Sequence, residues 1–75
     1  MDFILEKTCK KIGENIKNIR IEKGVSQLEL SIIIENISQT TISHIEQGKH
    51  SMGLKTILKI SNGLDVNLEE IFKGV

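Results

Sequence analysis

Apolar residues return along this chain at helical intervals. Leu5, Cys9, Ile12, Ile16 and Ile19 follow one another at spacings of four, three, four and three, which lays them along one stripe of a helix. The stripe predicts a single long helix over residues 3–23. Asp2 stands where a carboxylate caps the first turn, and Gly24 where a left-handed residue ends the last. Gly13 lies inside the pattern, and an interior glycine costs about 1 kcal/mol relative to alanine. It predicts fraying or a bend in the first two turns.

Ser26-Gln27-Leu28-Glu29 has the layout of a capping box, with the hydroxyl accepting from the amide three residues on and Glu29 reaching back. It predicts a second helix from Gln27 to about Glu35. Taken alone, Ile32-Ile33-Ile34 reads equally well as a buried strand, because β-branched residues favour sheet. The capping box just before it, and the lack of any partner strand elsewhere, decide for helix. Glu35-Asn36-Ile37 then makes a turn, and Ser38 caps a third helix through about Gln47, with Ile42 and Ile45 facing inward and Gly48 ending it. After a loop at Lys49–Gly53, Leu54, Ile57, Leu58, Ile60 and Leu64 predict a fourth helix. Asp65-Val66 turns the chain, and Asn67 with Glu70 caps a last short helix, Leu68 to Lys73. The expectation is an all-α domain of five helices around one core, with residues 1–9 as an N-terminal extension of the first helix and residues 10–75 as the domain proper.

Composition narrows what such a domain does. With 75 residues, two phenylalanines and no tryptophan, tyrosine or proline, the core must be built from Ile, Leu and Val. No apolar run approaches the ~20 residues that span a bilayer, and Asp2 and Glu6 break the short Phe3-Ile4-Leu5 run that a signal peptide would need. A single cysteine forms no internal disulfide, so a reducing cytoplasm is the expected compartment. Cys9 lies on the apolar stripe, which makes packing its expected role rather than redox chemistry. His44 and Glu46 stand two apart on one helix and face different ways, so neither a metal nor another cofactor is expected. No strand–turn–helix nucleophile or Gly-rich phosphate loop occurs, and the chain is not expected to be an enzyme.

Net charge is zero, but the charge is unevenly laid out. Residues 36–63 carry Lys49, Lys55 and Lys59 against Glu46 alone, while residues 64–75 carry Asp65, Glu69 and Glu70 against Lys73. A mildly basic middle suits one face to a nucleic acid, with a modest salt dependence. Lys7, Lys10 and Lys11 read as a solvated helix face, with a phosphate contact as the second reading.

The third helix carries the chemistry. With Ile42 and Ile45 turned inward, Gln39, Thr40, Ser43 and His44 occupy its other face. A glutamine amide suits bidentate contact with adenine, threonine offers a methyl for thymine beside a hydroxyl, and histidine can donate to a guanine acceptor or a phosphate. The bland alternative is a polar surface helix with no ligand.

At this point the residues carry a family resemblance. Ile12-Gly13 with Ile16 and Arg20, Gly24-Val25-Ser26-Gln27, Leu30-Ser31, Ser38 with Thr41-Ile42-Ser43, Ile45-Glu46-Gln47-Gly48-Lys49, Leu54, Ile57-Leu58-Lys59-Ile60, and Leu64-Asp65-Val66 followed by Leu68-Glu69-Glu70-Ile71-Phe72 stand in the register of one pattern. The chain resembles the phage-repressor helix-turn-helix (XRE) family, the lambda repressor- and Cro-like type. The resemblance implies a sequence-specific double-stranded DNA-binding transcriptional regulator in which the second helix lies across the backbone and the third enters the major groove. It places base contacts at Gln39, Thr40, Ser43 and His44 and phosphate contacts at Gln27, Ser38, Thr41 and Lys49. It also implies a partly buried structural salt bridge between Arg20 and Glu46.

Three departures from the pattern carry expectations of their own. One extra residue stands between Leu30 and Ile42, most simply at Glu35-Asn36, so that either the turn lengthens or the second helix extends. Met52-Gly53 replaces a proline and a capping hydroxyl, giving the fourth helix a looser start. Leu28, Ile32 and Ile33 are apolar where the family is polar, and are expected either beneath the N-terminal extension or at a protein-partner site. A single reader helix spans few base pairs, so a homodimer on a palindromic operator is expected, acting as repressor or autoregulator. Its interface candidates are Val66, Leu68, Ile71, Phe72 and Val75, with Phe3–Leu5 as a further surface. The competing function is a protein-interaction module or antitoxin-type partner built on the same fold, motivated by Leu28, Ile32 and Ile33.

Overall fold

A computed structural model describes residues 2–75 and shows five helices in the order α1 (Phe3–Glu22), α2 (Gln27–Ile33), α3 (Gln39–Glu46), α4 (Leu54–Leu64) and α5 (Leu68–Ile71). Met1 lies outside the described residues. The core is almost wholly branched aliphatic: Ile16, Leu30, Ile42, Ile45, Ile60 and Ile71 are each at most 1% exposed, with Ile12, Ile34, Ile57 and Leu64 around them. Every helix contributes to that one cluster, so none of the five is stable as drawn without the others. Among the described residues no helix is long and apolar enough to cross a membrane.

The ends of the helices form as their sequences dictate. The Asp2 carboxylate accepts from the Leu5 amide at 2.9 Å, and Gly24 takes φ +73 beyond the last turn of α1. The α2 capping box is complete, with Glu29 N donating to Ser26 Oγ and Ser26 N donating to Glu29 Oε1, each at 3.0 Å. The Ser26 backbone amide, then its hydroxyl, holds the Glu29 carboxyl below its ordinary value of 4.5. A carboxyl lowered by folding lends stability at pH above that ordinary value and loses it as pH falls through the lower folded value. Gly53 begins α4 without a side-chain acceptor, which is the looser start expected from Met52-Gly53.

Four expectations need correction. Gly13 neither frays nor bends α1, which is continuous through it; the glycine is buried, and α3 crosses over it. Helix α2 stops at Ile33 rather than Glu35, because Glu35 and Asn36 both adopt left-handed backbone, at φ +39 and +64. Two consecutive left-handed residues cannot extend a right-handed helix, so the extra residue lengthens the turn. Helix α5 ends at Ile71 rather than Lys73, and the Asn15 amide of α1 reaches across to the carbonyls of Ile71 and Lys73, both at 2.8 Å. The N-terminal extension does not cover Leu28, Ile32 and Ile33, which are 54%, 70% and 51% exposed, while Phe3 and Ile4 are themselves largely exposed.

Candidate nucleic-acid interface

Helix α3 is anchored on one side and free on the other. Ile42 and Ile45 are each 1% exposed, whereas Gln39, Thr40 and His44 are exposed and Thr41 and Ser43 half-buried. The helix begins at Ser38, whose hydroxyl accepts from the Thr41 amide at 3.1 Å and shares a 2.9 Å hydrogen bond with the Thr41 hydroxyl. The two hydroxyls expected at phosphates are thus held in one pair at the helix start. At the other end Gln47 Nε2 donates to Ser43 Oγ at 3.0 Å, so Ser43 is fixed by a neighbour that the sequence did not single out. Gly48 turns the chain at φ +74, and Lys49 N bonds back to His44 O at 2.9 Å, leaving the Lys49 side chain exposed just past the helix.

Beneath this face lies the one ion pair among the described residues. Arg20 of α1 meets Glu46 of α3 in a fork: Nε donates to Oε2 at 2.6 Å and Nη2 to Oε1 at 3.0 Å. The two side chains are 10% and 2% exposed, so the expected pair is buried almost completely. The remaining terminal nitrogen of Arg20 donates to Val25 O at 2.8 Å, tying down the connection between α1 and α2. Gln27, expected at a phosphate, donates from Nε2 to Glu46 Oε1 at 3.1 Å. An amide nitrogen carries two hydrogens. One is therefore committed to Glu46, and the rest of the amide stays half-exposed at the start of α2. Glu46 thus joins α1, α2 and α3 at a single carboxylate. The resemblance signalled the Arg20–Glu46 pair, but gave no sign that Gln27 shares the acceptor.

The expected dimer surface is only partly available. Ile71 is 0% exposed and belongs to the core, so it is withdrawn from that set; the α5 stripe spends this residue on the inside. Val66 and Leu68 are half-buried against the core, while Phe72 and Val75 are 36% and 58% exposed. Leu54 and Leu58 of α4 are also exposed, at 66% and 42%, and add apolar surface that the sequence reading did not propose for this purpose.

Known proteins share this arrangement. The helix-turn-helix family profile matches residues 16–71. Control protein C.MunI from a Mycoplasma species is 35% identical over 66 residues, spanning 87% of this chain and 88% of that protein. The restriction-modification controller C.AhdI from Aeromonas hydrophila superposes with a TM-score of 0.81 at 28% identity, over 85% of this chain and 96% of that one. The controller C.Esp1396I, solved as a tetramer in complex with its natural 35 base-pair operator, superposes with a TM-score of 0.74 at 32% identity over 97% of this chain and all of that one. The match reaches from the middle of α1 to the end of α5 and takes in the Arg20–Glu46 brace and the whole of α3, so this chain belongs to the helix-turn-helix family of the XRE type.

Proposed function

We propose that this protein is a sequence-specific double-stranded DNA-binding transcriptional regulator of the restriction–modification controller kind, acting as a homodimer. The observation that carries the reading is α3 itself. Gln39, Thr40 and His44 are exposed on a helix whose opposite side is locked by two fully buried isoleucines and a buried ion pair. Such a helix presents donors and acceptors at fixed positions, which base readout requires. Lys49, the Ser38–Thr41 pair and the half-exposed Gln27 flank it where backbone phosphates would run when α3 sits in the major groove. Similarity to C.MunI, C.AhdI and C.Esp1396I supports the controller context. Restriction and modification genes adjoining the coding sequence would be the matching genomic signature.

The test is a gel shift on operator DNA selected from a random pool. Gln39→Ala and His44→Ala should each weaken specific binding by about 1–3 kcal/mol while leaving the thermal unfolding midpoint unchanged. Retention of full specificity in both variants would overturn the assignment of α3 as the reader.

For the dimer, the exposed apolar residues of the C-terminal end and α4 offer the surface: Phe72, Val75, Leu54 and Leu58, with Val66 and Leu68 at the margin. Phe72→Glu is expected to shift the sedimentation coefficient from dimer to monomer and to weaken operator binding, with little loss of helicity. A wild-type monomer at concentrations well above those that saturate DNA would refute the homodimer.

A second reading draws on Leu28, Ile32 and Ile33, whose exposure on α2 leaves an apolar face without cover. On that reading the chain is a protein-interaction module. A wild-type protein with no salt-sensitive affinity for any duplex would favour it.

A further inference from the structure

The first turns of α1 lie outside the segment that the family profile matches, yet they are packed against the end of the reader helix. Gly48 sits at φ +74 with its backbone directly on Lys10: a Cβ there would lie 2.7 Å from Lys10 Cα and 3.1 Å from Lys10 N. This backbone-to-backbone contact fixes Lys10 beside Lys49, the residue that follows Gly48 in the chain. Both lysines are exposed, as is Lys7, one helical turn before Lys10. Lys7 and Lys10, with Lys11 and Glu14, border an open notch of about 420 Å³ between α1 and the C-terminal residues Gly74 and Val75. Three ammonium groups against one side-chain carboxylate leave that rim cationic, and among the described residues none of the three lysines enters an ion pair with the protein.

We propose that Lys7 and Lys10 form an accessory phosphate clamp continuous with Lys49, gripping the DNA backbone that flanks the bases read by α3. This rests on the DNA-binding reading above. The occupant follows from charge and continuity: duplex DNA carries one negative charge per about 1.7 Å of its axis. A backbone that reaches Lys49 therefore presents its next phosphates within range of a neighbouring lysine. The contact adds affinity without sequence information, which suits a domain of zero net charge that otherwise has few cations at its reader.

The experiment compares the Lys7→Ala/Lys10→Ala double variant with a Lys23→Ala/Lys73→Ala control of equal net charge. Lys23, at the end of α1, reaches the Asp65 carbonyl and Lys73 stands in the acidic C-terminal segment, so both lie outside the basic middle of the chain. Binding to the selected operator and to a mixed-sequence duplex is titrated across salt concentrations. The clamp variant should lose affinity for both duplexes by the same factor, and its log–log salt slope should fall by about 0.9 for each phosphate contact removed. The control should keep the wild-type slope. An unchanged slope, an equal fall in the control, or a loss confined to the operator would each overturn the clamp while leaving DNA binding in place. A wild-type chain that binds neither duplex would remove the functional reading and the clamp together.

Discussion

Arg20→Ala should destabilise the domain by about 3–5 kcal/mol in urea unfolding, the range seen when one partner of a buried ion pair is removed. The guanidinium makes three hydrogen bonds, two to Glu46 and one to Val25 O, in a site where the carboxylate is 2% exposed. Deleting it leaves the Glu46 carboxylate buried with one donor, the Gln27 amide, and leaves the carbonyl of the α1–α2 connection unmatched. A domain of this size has a total stability of roughly 4–11 kcal/mol, so the variant would be substantially unfolded at ordinary growth temperatures. The Arg20→Met/Glu46→Leu double variant separates stability from function. Replacing both charges with apolar groups of similar volume is often neutral or stabilising, so much of the loss should return. Operator affinity should not return in full, because Gln27 then has no acceptor and α2 loses its polar tie to the last turn of α3, leaving only the close crossing at Gly13 to hold that turn against α1. Full recovery of DNA binding in the double variant would show that the ion pair has no part in orienting the reader, and a loss below about 1 kcal/mol in Arg20→Ala would show that the pair is not buried in solution.

That pair was legible through the family resemblance, and the inward position of both charges, where an unpaired charge is costly, agrees with it. Four of the five helix starts were legible from local pairing as well: each depends on residues three apart in the chain, as in Ser26 with Glu29 and Asn67 with Glu70. The helix ends were less so. Helix α2 stops early because Glu35 and Asn36 turn left-handed, and α5 stops early while Asn15, more than fifty residues away, takes up the carbonyl of its last residue, Ile71, and that of Lys73 beyond it. Periodicity reports which face of a helix is apolar and is silent on where a distant side chain will hold its end. Asn15 did leave one trace, a polar amide at the edge of the Ile12–Ile16–Ile19 stripe. Ile71 shows the same limit from the other side, since an apolar residue on a short terminal helix reads equally as core or interface until its neighbours are placed. At the reader, side-chain type and facing were readable from α3 alone. The bonds from Gln47 to Ser43 and from Gln27 to Glu46 were not, because an amide at the end of a helix can turn to solvent, to a ligand or to a neighbouring side chain, and spacing along the chain does not choose among them.

Gly13 is the position where local and tertiary reasoning give opposite signs, and its substitution distinguishes them. By helix propensity alone, Gly13→Ala in the middle of a 20-residue helix should stabilise by about 1 kcal/mol. The structure predicts the reverse. A Cβ at Gly13 would lie 2.9 Å from Glu46 O and closer still to Ile45 O, and both are backbone atoms of the last turn of α3 rather than the flexible end of a side chain. To admit a methyl group, α3 must lift from α1, at the same turn where Glu46 meets Arg20 and Gly48 rests on Lys10. Overpacking of this kind costs about 1–3 kcal/mol, and here it also displaces the reader. Gly13→Ala is therefore expected to lower both the unfolding free energy and the affinity for operator DNA. Its effect should be strongly non-additive with Arg20→Ala, since each loosens the same crossing. Gly53→Ala supplies the sterically open comparison: nothing lies within 4 Å of a Cβ there and its φ of −77 suits any residue, so its cost should be no more than about 1 kcal/mol, that of placing alanine at the start of a helix, with operator affinity unchanged. A stabilised Gly13→Ala protein with unaltered DNA binding would mean that α1 and α3 do not cross at this distance, and the brace, the reader's anchorage and the clamp beside Lys49 would all lose their common support.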